Sequence, residues 1–179
     1  MQKWIILIVV CVIILLGGII AFNFTIETEY IPEAEIEEKE LRKTMISLYF
    51  QDRETKEIVK ETRLIDSKNL LKNPYEELLN MLINGPENQS FQAVIPKNAK
   101  INDIKIENNV AIVNLSEEII TNITDDIQKR IIVESIVKTL TELTEVNGVK
   151  ILINGNEVDG FIDVGLDFKQ VFTRKMFEM

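Results

Sequence analysis

The chain has 179 residues, enough for one sizeable core. Its 20 Lys and Arg stand against 29 Asp and Glu, a formal charge of −9. A surface that acidic repels phosphate backbones, so no nucleic-acid partner is expected. Histidine is absent and Cys11 is the single cysteine. That excludes Ser-His-Asp and Cys-His catalysis, imidazole metal sites, disulfide frameworks and zinc ribbons.

From Trp4 to Phe22 the chain carries no charge and is mostly Ile, Val and Leu. At about 1.5 Å of helical rise per residue, this run approaches the hydrocarbon thickness of about 30 Å. A secretory signal has a shorter apolar region and an A-x-A-like cleavage site, and Gly17, Gly18 and Ala21 are not so arranged. Residues 1–22 therefore read as an uncleaved transmembrane signal anchor, with a cleaved signal as the alternative. Lys3 precedes the run, while Glu27, Glu29 and Glu33 follow it. The positive-inside bias then leaves the amino terminus cytoplasmic and the rest outside the cell membrane, contacted through residues 4–22. Residues 23–43, rich in glutamate and poor in large apolar side chains, read as an acidic stalk.

Residues 44–179 are expected to fold. Met45–Phe50 alternates as a strand, and Ile58–Ile65 reads as an edge strand because Lys60, Glu61 and Arg63 would deter pairing. Asn73 and Pro74 start a helix whose Tyr75, Leu78, Leu79, Leu82 and Ile83 make one apolar stripe. Gly85 supplies a left-handed cap and Pro86 stops the chain. Ile101–Ile106 and Val110–Leu115 form a hairpin around Asn108-Asn109. A second helix runs from Thr124-Asp125-Asp126 to about Leu143, with Arg130, Glu134, Lys138 and Glu142 as a solvated charge ladder. Val149–Ile153 is a further strand, and Phe161–Met179 is apolar in patches without a clear period. The fold class is α+β: a two-layer sandwich of two amphipathic helices on a mixed sheet, in the order β-β-α-β-β-α-β.

The chemistry is sparse. Asp159, Asp163 and Asp167 recur every fourth residue but lack calcium-loop spacing and read as solvated turn residues. There is no Gly-rich phosphate loop and no G-x-S-x-G elbow. No catalytic, metal or cofactor site is expected. On a helical wheel Ile127 and Ile131 fall beside Glu134 and Lys138, on the charged face. They are either satellites of a small cluster with Ile119, Ile120 and Ile123 or an exposed contact site for a partner.

Leu48-Tyr49-Phe50, Glu61-x-Arg63 and Leu79-x-x-Leu82-x-x-Gly85-Pro86 resemble the first half of the GerMN domain, the sporulation and spore germination family. Val110-x-x-Val113-Asn114-Leu115-Ser116, Ser135-Ile136-Val137 through Leu143, and Val149-x-Ile151-x-Ile153-Asn154-Gly155 resemble its second half. The resemblance implies a non-enzymatic module outside the membrane, similar in fold to the ring-building domains of secretion-type assemblies. It implies partners among envelope or sporulation proteins, or self-association, and brings no catalytic residues. Two other readings stand beside this scaffold. One is a sensor for a cell-wall fragment or small ligand, with a cleft at Tyr49 or Phe91; the other is a carboxylate-based envelope hydrolase.

Overall fold

Alternation along Lys43–Asp52 turns Ile46, Leu48 and Phe50 to one face of a strand, β1. The computed structural model describes residues 42–178, and β1 is the first element in it. The expected anchor and all but the end of the stalk lie outside the described residues. Among the described residues no helix is long and apolar enough to cross a membrane.

β1 pairs antiparallel with β2 (Ile58–Asp66), setting Leu48 opposite Glu61 and Ile46 opposite Arg63. After a 3₁₀ turn at Ser67–Leu70 comes α1 (Pro74–Asn84). Asn73 caps it by accepting a hydrogen bond from the Glu76 N–H at 3.1 Å, with Pro74 in the first turn. Leu78, Leu79 and Leu82 are its buried face. Gly85 ends α1 at φ 96°, ψ 178°. The positive φ was expected, but the conformation is the extended glycine-only one and not a left-handed cap.

The next strand, β3 (Phe91–Gln92), was not foreseen; it joins β1 beside Gln51 and Asp52. The expected hairpin forms from β4 (Ile101–Glu107) and β5 (Val110–Leu115), with Asn108 and Asn109 both at positive φ. α2 spans Asp126–Leu140 and returns the chain to β6 (Gly148–Ile153), which lies parallel to β5.

The class is α+β with two helices, but two three-stranded sheets replace the single expected one: β2-β1-β3 and β4-β5-β6. α2 is the reason. It packs against strands of both sheets, so it is buried on most of its circumference and not along one stripe. In an antiparallel pair, alternate residues turn their N–H and C=O away from the partner strand. At Tyr49 those groups meet α2: the N–H donates to Thr139 Oγ1 at 3.2 Å and the C=O accepts from the Ser135 hydroxyl. Two helix hydroxyls thus finish a strand edge that would otherwise need another strand.

The carboxy-terminal segment closes the core. Phe161, Phe168, Phe172 and Phe177 form a chain of ring contacts with centroids 5.5, 6.0 and 6.4 Å apart. Phe172 exchanges two 2.8 Å backbone hydrogen bonds with Val149 of β6. Gly160, at φ 64°, lets the chain pass the Phe168 ring, from which a Cβ would stand only 2.2 Å.

Candidate interaction site

Asp125 caps α2 by accepting from the Gln128 N–H at 2.8 Å. Asp126 adds negative charge where the helix dipole favours it. Between two sheets, such a helix has little surface left to offer. The structure separates the two suggested contact residues: Ile127 is 63% exposed and Ile131 is 5% exposed. The helical wheel set both on a solvated face, and for Ile131 that is corrected. Glu134 and Lys138 pair at 2.6 Å, and both side chains are largely covered. The Arg130 guanidinium lies over the Phe177 ring at 5.5 Å. The tail has been laid across the face that periodicity assigned to water.

Ile127 stands between two adjoining hollows of about 500 and 590 Å³ that share Lys56, Ile127 and Ile131. On one side lie Gln51, Gln92 and Val94; on the other lie Ile58, Glu134 and Phe177. The result is an open groove with an apolar floor, a protruding isoleucine and a rim carrying both signs of charge. Its covered acid, Glu134, is paired with Lys138.

Several charged groups elsewhere hold segments of the fold together. Lys60, Glu61 and Arg63 were expected to mark an edge strand, and among them Glu61 and Arg63 alternate with Lys60. β2 is indeed an edge strand, and these two residues share the inner face with Leu48 and Ile46. Arg63 Nε donates to Glu61 at 2.6 Å and its terminal nitrogen to the Gly85 carbonyl at 2.7 Å. Glu61 also accepts from the N–H groups of Asn88 at 2.9 Å and Glu87 at 3.3 Å. This pair pins the loop after α1 onto β2. Burial pushes the Glu61 carboxyl up, but the Asn88 N–H, Arg63 and the Glu87 N–H outweigh it, leaving the pKa below the usual value.

Tyr49, expected at a cleft, is buried, 7% exposed. Its hydroxyl donates to Glu142 at 2.6 Å and accepts from Arg174, which also reaches Glu142 at 2.8 Å. Burial and then the Glu142 bond raise the phenol pKa. Burial alone would raise the Glu142 carboxyl, but bonds from Tyr49 and Arg174 bring it below the usual range. Glu142 thus leaves the expected ladder and ties the tail to β1. Phe91 borders an open hollow beside Arg63 and Asn88. Asp163 is bound by the buried Lys129, which holds its pKa down; Asp159 meets Lys169, and Asp167 accepts from the Lys169 N–H at 2.8 Å. Among the described residues no cluster of acidic or cysteine side chains could hold a metal ion.

Sequence reasoning missed the edge-closing pair Ser135 and Thr139 and the aromatic tail. The first did leave a signal: two hydroxyls four residues apart among Ile132, Ile136 and Leu140. The tail's four phenylalanines follow no helix or strand period, because 3₁₀ turns and short bridges set their spacing.

A family profile described as sporulation and spore germination (Germane) matches residues 47–159. The chain belongs to the GerMN-domain family. The first GerMN domain of the sporulation protein GerM from Bacillus subtilis superposes with a TM-score of 0.61 at 26% identity, over 74% of this chain and 98% of that one. The tandem GerMN domains of the same protein give 0.61 at 19% identity, over 83% of this chain and 49% of that one, a likeness of fold. A Clostridium perfringens protein classed as a lipoprotein gives 0.50 at 28% identity, over 75% and 90%. No curated protein matches the chain. The aromatic tail lies beyond the matched span.

Proposed function

We propose that this GerMN-domain protein is a membrane-anchored, extracytoplasmic interaction module of the spore programme, a scaffold without catalysis of its own. The match to a sporulation and spore germination family over residues 47–159 carries the reading. The apolar run at residues 4–22 supports the anchor, and the lipoprotein relative is compatible with a place at the membrane. The conspicuous ionic groups support a scaffold: Glu61–Arg63, Tyr49–Glu142–Arg174 and Lys129–Asp163 each join two segments of the fold. Partner contact is assigned to the groove around Ile127, with Ile131 as its floor.

The test is made in sporulating cells that carry the full-length protein. Ile127→Asp should leave its abundance and membrane fraction unchanged, remove its crosslinked partner or self-adduct, and lower spore yield or germination. Wild-type sporulation and an unchanged adduct pattern would overturn the assignment.

A further inference from the structure

The corner where the folded domain begins differs in character from the rest of this acidic chain. Met45 and Leu64 face each other across β1 and β2 on the sheet face turned away from Leu48, and they are 75% and 60% exposed. Lys43 pairs with Asp66 at the same end of the ladder, and the Ser67 N–H bonds the Arg42 carbonyl at 2.6 Å. The turn that follows carries Lys68, then Leu71, the most exposed large apolar side chain described at 80%, then Lys72. Neither Lys68 nor Lys72 makes an ion pair with a described residue. Of the acids nearby in sequence, Asp66 caps the turn by accepting from the Lys68 N–H at 2.9 Å and Glu76 accepts from the Asn73 amide at 3.3 Å, while Glu77 stands in the first turn of α1. Three large apolar side chains at this end of the domain are thus left in water, and the turn that carries one of them, Leu71, also carries two lysines without an ion pair.

We propose that this corner is a lipid-contacting face, on which Leu71, Met45 and Leu64 enter the headgroup region while Lys68 and Lys72 meet anionic phosphates. The proposal deepens the anchored reading above and rests on it. Two observations favour a bilayer as the occupant. Apolar tips with lysines beside them match an interface of acyl chains and phosphate groups, since lysine stems can lie along apolar material while the ammonium reaches the headgroups. The chain also enters the domain at this corner. Residues 23–41, at most about 65 Å when extended, tether it to the apolar run, so the corner stays at high effective concentration near the bilayer. A domain so held would lie against the membrane with the β1–β2 turn at Arg53–Lys56 pointing away.

The full chain carrying Cys11→Ser is reconstituted into vesicles of equal parts phosphatidylglycerol and phosphatidylcholine with brominated acyl chains. A bimane label is attached at Leu71→Cys or, as the control, at Glu54→Cys on the far turn. The expected result is several-fold stronger quenching at position 71 than at 54, lost when Lys68 and Lys72 are both changed to Glu. Protein retained after an alkaline wash with equal quenching at both sites would overturn the lipid face and leave the anchor standing. Protein stripped by the wash yet still quenched at 71 would overturn the anchor and uphold the face. Protein stripped and unquenched would overturn both. Absent quenching with shielding of the same cysteine from maleimide in cells would assign the corner to a protein partner and overturn the lipid proposal.

Discussion

In the β4-β5-β6 sheet the buried positions are aliphatic: Ile104 on β4, Ala111, Val113 and Leu115 on β5, Val149, Ile151 and Ile153 on β6. In the β2-β1-β3 sheet the same kind of inner face carries Ile46, Leu48 and Phe50 together with Glu61 and Arg63. The β1 edge there is closed partly by helix hydroxyls. One sheet is held by area removed from water, which is non-directional. The other adds to such area a few directional bonds whose loss leaves buried groups unsatisfied. Two sheets of equal strand number therefore should fail differently under mutation and under acid.

The largest expected effect is on the charged pair. Glu61→Ala leaves the covered Arg63 with only the exposed Glu87 carboxylate at 3.6 Å and two loop N–H groups without their acceptor, and should cost about 3–5 kcal/mol. Chemical denaturation of the 42–178 fragment reads this directly. Replacing Glu61 and Arg63 together by methionine should recover much of the loss. Equal damage in the single and double variants would show that the pair acts only through packing.

Acid sharpens the contrast. The folded Glu61 and Glu142 carboxyls both titrate below the usual value. Their contribution is therefore complete above the unfolded pKa of about 4.3 and is lost as pH falls through the lower folded value. A Glu61→Gln variant should show a flatter fall in melting temperature below about pH 4 than wild type. In the aliphatic sheet, Ile151→Ala should cost about 2–5 kcal/mol with the wild-type pH profile unchanged. A changed profile would contradict the division between the sheets.

Smaller effects follow at the strand edge and the groove. Ser135→Ala removes the donor to the Tyr49 carbonyl and should cost about 1–3 kcal/mol, with faster amide exchange along β1 as a second readout. Ile127→Asp, at an exposed position, should stay within about 0.5 kcal/mol of wild type, whereas Ile131→Asp places an unpaired charge in the core and should unfold the domain. Equal melting temperatures for the two variants would mean that the wall of the groove is wrongly placed.

The same contrast explains which parts of the fold could be read in the sequence. β4, β5 and β6 follow period-two alternation punctuated by Asn108-Asn109 and Asn154-Gly155, so local rules suffice. α1 is equally local, from the Asn73 cap to the glycine at 85. Around β1 the local rules mislead. Charge on β2 suggests solvent because nothing nearby in sequence reveals the loop N–H groups at 87 and 88 that receive Glu61. The α2 charge ladder suggests water because its cover, Arg174 and Phe177, arrives more than thirty residues later. Of the candidate contact pair, the exposure of Ile127 followed from helical phase, while the burial of Ile131 near Ile58, Val94 and Phe177 depended on segments distant in sequence that periodicity could not supply.

We propose that the ionic constellations maintain the fold and that protein partners meet the domain at the Ile127 groove. A photocrosslinking amino acid placed at 127 in the full-length protein, compared with one at Glu107 at the end of β4, tests it in sporulating cells. A discrete adduct from position 127 and none from 107, in proteins of equal abundance, is the predicted result. Adducts from 107 with none from 127 would contradict it.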